Sequence, residues 1–438
     1  MGSRAGAGAY LTLGFGTAVA MWTVGYLCRL PSTPLSSPLL LALLLALLAA
    51  GGFVAARLTG EGWKAGATTG ALAALLDLLV LGGLVTGDTP NQVVPSAVFW
   101  LPGSLLAGGA VGALGAALGT AIGARAREHT RPSPISAAAW TSAFAHVAVI
   151  ATGLLIVVGG LVTSHGAGLA VVDWPNSFGY AMFLYPLSRM TGGVYFEHAH
   201  RLFGSLVGLT TFVLTVHLWR VDRRRSIRWL SAIALISVIA QGILGGLRVT
   251  GKFTTATSPA EVEPNLVLAA VHGTFAQIFL GLLVALAILT HPRWIAPTPP
   301  RVRDSVAADR RVWIVFAAFL VAQIAVGSIL RHFSGALTLH IVGAIVVLGL
   351  GLVAGLRARA HYPEQSELRR GGADLAGLVG LQFALGLAAL VATVLARGAG
   401  APPAYEVWIT TAHQVTGALI VALTARTLLW MHRLVSPA

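Results

Sequence analysis

"FEHAHRLFGSLVG", residues 196–208, puts Glu197, His198, His200 and Arg201 within five positions of one another, at the mouth of a run as apolar as a membrane span. No Asp, Glu, Lys or Arg follows Arg201 until Arg220. At 1.5 Å per residue, about 20 such residues cross a hydrocarbon core of about 30 Å. Comparable runs recur along the chain, and we read about twelve: 10–28, 38–57, 66–86, 98–123, 138–163, 196–217, 229–247, 267–289, 312–331, 337–356, 375–396 and 407–430. A barrel would show shorter, alternating strands, and only closed backbone hydrogen bonding survives in lipid. The fold class expected is an all-α polytopic membrane protein of about twelve transmembrane helices.

Composition agrees. Of 438 residues 56% are hydrophobic and 10% charged, with a mean hydropathy of +0.80. The net charge of +14 lies between the spans. With a cytoplasmic amino terminus, the inner loops hold "RARE" (125–128), "RVDRRRSIR" (220–228), "PRWIAPTPPRVRDSVAADRR" (292–311) and "RARAHYPEQSELRR" (357–370), whereas the outer loops hold chiefly Arg189, Arg248 and Lys252. That is the positive-inside bias. It predicts a multi-pass protein of a bacterial-type cell membrane, in contact with lipid, with both termini cytoplasmic, and it accounts for the basicity without nucleic acid. The first span lacks the short apolar core and small-residue cleavage site of a secretory signal and is read as retained. Cys28 is the single cysteine, so an intrachain disulfide and thiolate metal sites are excluded.

Histidine divides the chain. Residues 1–123 contain none, are rich in Gly, Ala and Leu, and form an amino-terminal four-helix module whose faces suit close helix packing. Asp77 is the one carboxylate inside an apolar span there, either a functional group or a hydrogen-bond acceptor within the bundle. A polar linker covers 124–137, a first four-helix bundle 138–289, a second linker 290–311 and a second bundle 312–432. The two bundles read as a duplication. "VGGLVTSHGAG" (158–168) resembles "VGSILRHFSGA" (326–336), "QGILG" (241–245) resembles "QFALG" (382–386), and "AVHGTF" (270–275) resembles "TAHQVT" (411–416). Gln241 precedes His272 by 31 residues, and Gln382 precedes His413 by the same 31. His200 then corresponds to His340.

These four histidines each open a span running from outside to inside. One imidazole from each of two helices is a common way to hold haem iron axially in an apolar bundle. The pairs expected are His200 with His272 and His340 with His413. His129, His217, His291, His361 and His432 fall in or beside inner loops, and His146 lies within a span. His165 and His332 stand just past outer span ends, either interfacial or in contact with haem propionates. His198 is about 200° around the helix from His200 and cannot share its face. Glu197 lies one turn before His200 on nearly the same face, where a carboxylate could carry a proton or position water. Three classes compete: an enzyme acting on haem, a di-haem b-type cytochrome carrying electrons to or from quinone, and a transporter. The cytochrome needs the four histidines but not Glu197, and a transporter would gather its polar groups near the midplane.

Taken together, "GGLVTSHGAGLAVVDWP" (159–175), "EHAHRLFG" (197–204), "QGILGGLRV" (241–249), "VHGTFAQ" (271–277) and "AHQVTGA" (412–418) resemble the haem A synthase family, in order over about residues 138–432. The resemblance implies an enzyme of cytochrome oxidase assembly that oxidises one ring methyl of haem O to the formyl group of haem A. It implies that His200 and His272 ligate the substrate or product haem, that His340 and His413 ligate a haem b, and that Glu197 is the catalytic acid. The outer loop 164–195, with Asp173, Trp174 and Pro175, would cover the substrate site. Haem O synthase and terminal oxidase subunits are the protein partners it suggests. Two features depart from the family. Val171 and Val172 precede Asp173 where many members carry a cysteine, and the four amino-terminal spans are an addition that either docks a partner or extends the bundle.

Overall fold

The computed structural model describes residues 6–87, 89–126, 135–249, 264–297 and 299–437. Twelve helices among them are long and apolar enough to cross a membrane, and the chain is an all-α polytopic membrane protein. In order they are α1 (Ala7–Cys28), α2 (Ser37–Thr59), α3 (Trp63–Leu81), α4 (Ala97–Ala126), α5 (Ala137–Ser164), α6 (Gly192–Val221), α7 (Arg225–Leu247) and α8 (Leu266–Leu289). After the single turn α9 (Pro292–Ile295) come α10 (Val306–Phe333), α11 (Leu337–His361), α12 (Ser366–Leu395) and α13 (Ala404–Leu434). The helices begin where local chemistry permits. Ser136 caps α5 by accepting from Ala139 N–H, Asn265 caps α8 by accepting from Leu268 N–H, and Pro38 sits in the first turn of α2, where its missing N–H costs nothing.

α1 to α4 pack through small residues. A β-carbon at Gly52 of α2 would stand 2.0 Å from the carbonyl oxygen of Gly112 in α4, so the backbones touch. In lipid, where burial of apolar surface drives little, such close approach supplies the attraction between helices. α5 to α8 form a ring in which each helix packs on the next and α8 returns to α5, and α10 to α13 repeat the arrangement. The second ring meets the first through α13 against α5 and α8 and through α10 against α8. The amino-terminal helices meet it on another side, chiefly through α1 on α5. Their aromatic seam pairs Phe15 with Phe144, Trp22 with Phe203 and Tyr26 with Tyr195, at centroid separations of 5.3, 5.6 and 5.3 Å.

The first ring is therefore the centre of the molecule. Protein buries 56% of the crossing segments of α5 and α6, against 11% of that of α12. At the end where α6 begins, residues 165–191 form a long connection with two short helical turns, Met182–Leu184 and Leu187–Arg189. The opposite end is tied by polar contacts. Arg357, His361 and Tyr362 converge on Asp309, Arg293 pairs with Glu367, and β1 (Arg301–Val302) runs parallel to β2 (Val435–Ser436).

Candidate functional site

The four histidines meet in two pairs of matching geometry. His200 at the start of α6 faces His272 at the start of α8, with ring centroids 6.2 Å apart and planes at 80°. His340 on α11 faces His413 on α13 at 6.3 Å and 78°. Metal–imidazole bonds are about 2 Å long, so each separation leaves room for one ion between facing nitrogens.

Each imidazole rests on a glycine of the preceding helix. A β-carbon at Gly159 would stand 2.9 Å from Cε1 of His200, at Gly245 3.1 Å from that of His272, at Gly327 2.9 Å from that of His340, and at Gly386 3.0 Å from that of His413. A side chain at any of the four would oblige the ring to give by at least a few tenths of an ångström. One turn before three of these glycines stands a glutamine. Gln241 Nε2 donates to the carbonyl of His272 at 3.1 Å, Gln323 Nε2 donates to that of His340 at 2.8 Å and lies 3.0 Å from its Nδ1, and Gln382 Nε2 lies 3.4 Å from His413 Nε2. Leu155 occupies the corresponding place before Gly159. The Nδ1 atoms of His200, His272 and His413 are buried without a hydrogen-bond partner among the described residues. Buried polar atoms of that kind call for an explanation. Facing rings, glycine cradles and orphaned nitrogens together fit a planar metal complex held axially, such as haem.

Around the first pair, the connection 165–191 is drawn over the bundle. Glu197 is buried, with Oε1 3.0 Å from Arg201 Nη2 and Oε2 accepting from Val171 N–H at 3.0 Å. Arg201 also donates to the carbonyls of Val171, Asp173 and Asn176 at 2.7 to 2.9 Å. His198, on the other face of α6, bonds Ser177 Oγ through Nδ1 at 3.1 Å. Asp173 turns the connection by accepting from Phe178 N–H at 2.6 Å and Gly179 N–H at 2.8 Å. Trp174 then lies flat on α7, where a β-carbon at Gly246 would be 2.2 Å from its ring. The last two glycines of "QGILGG" thus serve different partners, Gly245 the imidazole of His272 and Gly246 the indole. Arg248, just beyond α7, donates to Gly168 O at 3.3 Å, and burial pushes its guanidinium pKa down while Glu197 pulls it back up. Residues 165–191 thus bridge α6 and α7 as a roof at the end of the bundle that carries His200 and His272.

His332 lies near His272 and Arg248, and several other titratable groups are engaged elsewhere. His165 stacks on Phe196 at 3.8 Å and bonds Leu161 O, His217 bonds Thr141 Oγ1, His146 bonds Ser142 O, and His361 serves Asp309. His129 and Lys252 lie outside the described residues. Asp77 accepts from Trp22 Nε1 at 2.9 Å, the acceptor role considered for it. Sequence reading passed over the cradle glycines, Gln323 and the reach of Arg201. A Gln-x-x-x-Gly signal at 241–245, 323–327 and 382–386 marks Gln323 and three of the four cradle glycines; nothing local marks Gly159 or the reach of Arg201.

Two rings of four membrane helices, each with two imidazoles facing one another across its core, define a duplicated di-histidine membrane protein. Residues 142–339 match the family model described as cytochrome oxidase assembly protein. A haem A synthase of Methylobacterium sp. (strain 4-46) is 25% identical over 374 residues, an alignment covering 68% of this chain and 93% of the relative. A haem A synthase of Lysinibacillus sphaericus (strain C3-41) is 33% identical over 108 residues, covering 24% of this chain and 34% of the relative. Over this region the chain is similar to haem A synthases and to the cytochrome oxidase assembly proteins that the family model describes.

Proposed function

We propose that the chain oxidises a ring methyl of haem O to the formyl group of haem A, for cytochrome oxidase assembly. The observation that carries this reading is the first ring, where a facing histidine pair, a buried carboxylate one turn from His200 and a connection anchored on that carboxylate occur together. His200 and His272 hold the substrate, and His340 and His413 hold a haem b. When bound, haem would supply the redox chemistry, with the formyl oxygen and the acceptor of the four electrons both coming from outside the chain. The chain's own residues do the rest. Gly159 and Gly245 fix the imidazoles, the roof excludes water, and Glu197, held between Arg201 and Val171 N–H, is the acid that carries a proton at the substrate edge.

The arginine-rich connections lie at the end opposite the histidines, which supports a site at the outer face of a cell membrane, with both termini inside. Residues 138–289 then form the catalytic bundle and 312–432 the haem b bundle, with haem O synthase as source and terminal oxidase subunits as destination. The near-equal pair geometries also favour a second reading, a di-haem b-type cytochrome exchanging electrons with quinone.

The two are separated by producing the chain in cells that make haem O and analysing extracted haems by mass spectrometry. Haem A above an empty-vector control is expected, and haem b with unconverted haem O alone, in folded protein, would favour the cytochrome. Glu197→Ala should keep both haems bound and abolish haem A; formation at the unmutated level would remove Glu197 from the chemistry.

A further inference from the structure

The roof has a second attachment, on the side away from the histidines. Between α3 and α4 the amino-terminal module makes a small hairpin, with Val94 N–H donating to Val85 O at 2.9 Å and Gly87 N–H to Gln92 O at 2.8 Å. Asn91, at its tip, has φ of 64°, a left-handed conformation that asparagine and glycine accept. Its side chain grips the roof twice, with Oδ1 accepting from Ala181 N–H at 2.6 Å and Nδ2 donating to Gly179 O at 3.2 Å. Thr86 donates to Leu184 O. A β-carbon at Gly82 or Gly83 would stand 2.4 Å from the carbonyl oxygen of Phe183 or Tyr185, so the end of α3 lies against the roof backbone.

The gripped segment continues the turn built by Asp173 on Phe178 and Gly179, and that turn is the one held by Arg201 and followed back to Trp174 on α7. We propose that the amino-terminal module fastens the roof, with Asn91 as a positioning residue for the His200–His272 site. The module acts from outside: its hairpin holds residues 179–184, these hold the Asp173 turn, and the turn keeps Trp174 and Val171 over the histidine pair. No covalent crosslink is available to do this, because Cys28 is the chain's single cysteine. The assignment of haem to the pair rests on the function proposed above; the fastening itself does not.

Asn91→Gly is the decisive variant, since glycine keeps the left-handed backbone and removes both side-chain bonds. Hydrogen–deuterium exchange of the full chain in nanodiscs should rise about five- to tenfold over residues 177–187, the loss of two partly exposed hydrogen bonds, with α10 to α13 unchanged. Asn91→Asp, which keeps the acceptor for Ala181 N–H, should fall between. Unchanged exchange over 177–187 in Asn91→Gly overturns the fastening. A second readout uses haem b as probe and apomyoglobin as acceptor. Asn91→Gly should speed haem loss about fivefold when His340 and His413 are alanine, and leave it unaltered when His200 and His272 are alanine. Equal effects in both backgrounds would reduce Asn91 to general stability, whereas failure of either background to bind haem would count against the haem reading and leave the exchange result standing.

Discussion

A single absent methyl group makes room for each paired imidazole. Gly159, Gly245, Gly327 and Gly386 stand so close to the imidazoles that the smallest side chain would displace them. Gly159→Ala should lower haem affinity at the first pair by about 10- to 100-fold, the effect typical of residues that orient metal-bound histidines. With haem held by both pairs as proposed, pyridine haemochrome stoichiometry should fall from two haems towards one, while Gly153→Ala, whose β-carbon would meet nothing within 4 Å, should leave it unchanged. The histidines themselves were legible because position near a span start and a repeated 31-residue interval are properties of the chain. The Glu197–Arg201 arrangement was not. Its partners Val171, Asp173 and Asn176 lie 25 to 30 residues away, and loop backbone atoms carry no residue-type signal.

At the scale of elements, α6 divides its surface among three tasks. Tyr195 and Phe203 face α1, Glu197 and Arg201 face the roof, and His200 faces α8. The spans expected at 196–217, 312–331 and 375–396 prove to be helices that begin earlier, at Gly192, Val306 and Ser366. Hydropathy reports the part of a helix that lipid surrounds, whereas backbone hydrogen bonding continues past it into polar surroundings. The overhang of α10 supplies Asp309 to the polar clasp between α10 and α11. Tyr362, immediately after α11, donates to Asp309 at 2.7 Å, and burial first, then that bond and charge, raise its pKa from 10.0 to about 12. A folded pKa above the unfolded one gives stability that is complete below about pH 10 and lost as pH rises through about 12. Thermal unfolding between pH 9 and 12 should show this loss, and Tyr362→Phe should flatten the curve; an unchanged slope would remove Tyr362 as its source.

The whole molecule is three groups of four helices with the roofed pair in the middle. The seam between the first two groups centres on Trp22, which packs edge-on against Phe203 and hydrogen-bonds Asp77 of α3. Trp22→Ala should destabilise the chain by about 3–5 kcal/mol, the range for removing a buried aromatic. The change also leaves the Asp77 carboxylate without its indole donor. Asp77→Asn, which retains an acceptor, should restore part of that loss in the double variant, as read by thermal aggregation in detergent; no recovery would mean that packing alone accounts for the cost. The grip of the hairpin on residues 179–184 also has a meaning in time. Ribosomes deliver a chain from its amino terminus. The segment of the hairpin between α3 and α4 is therefore synthesised before the roof, so that the order of translation sets the holding element ahead of the segment it holds.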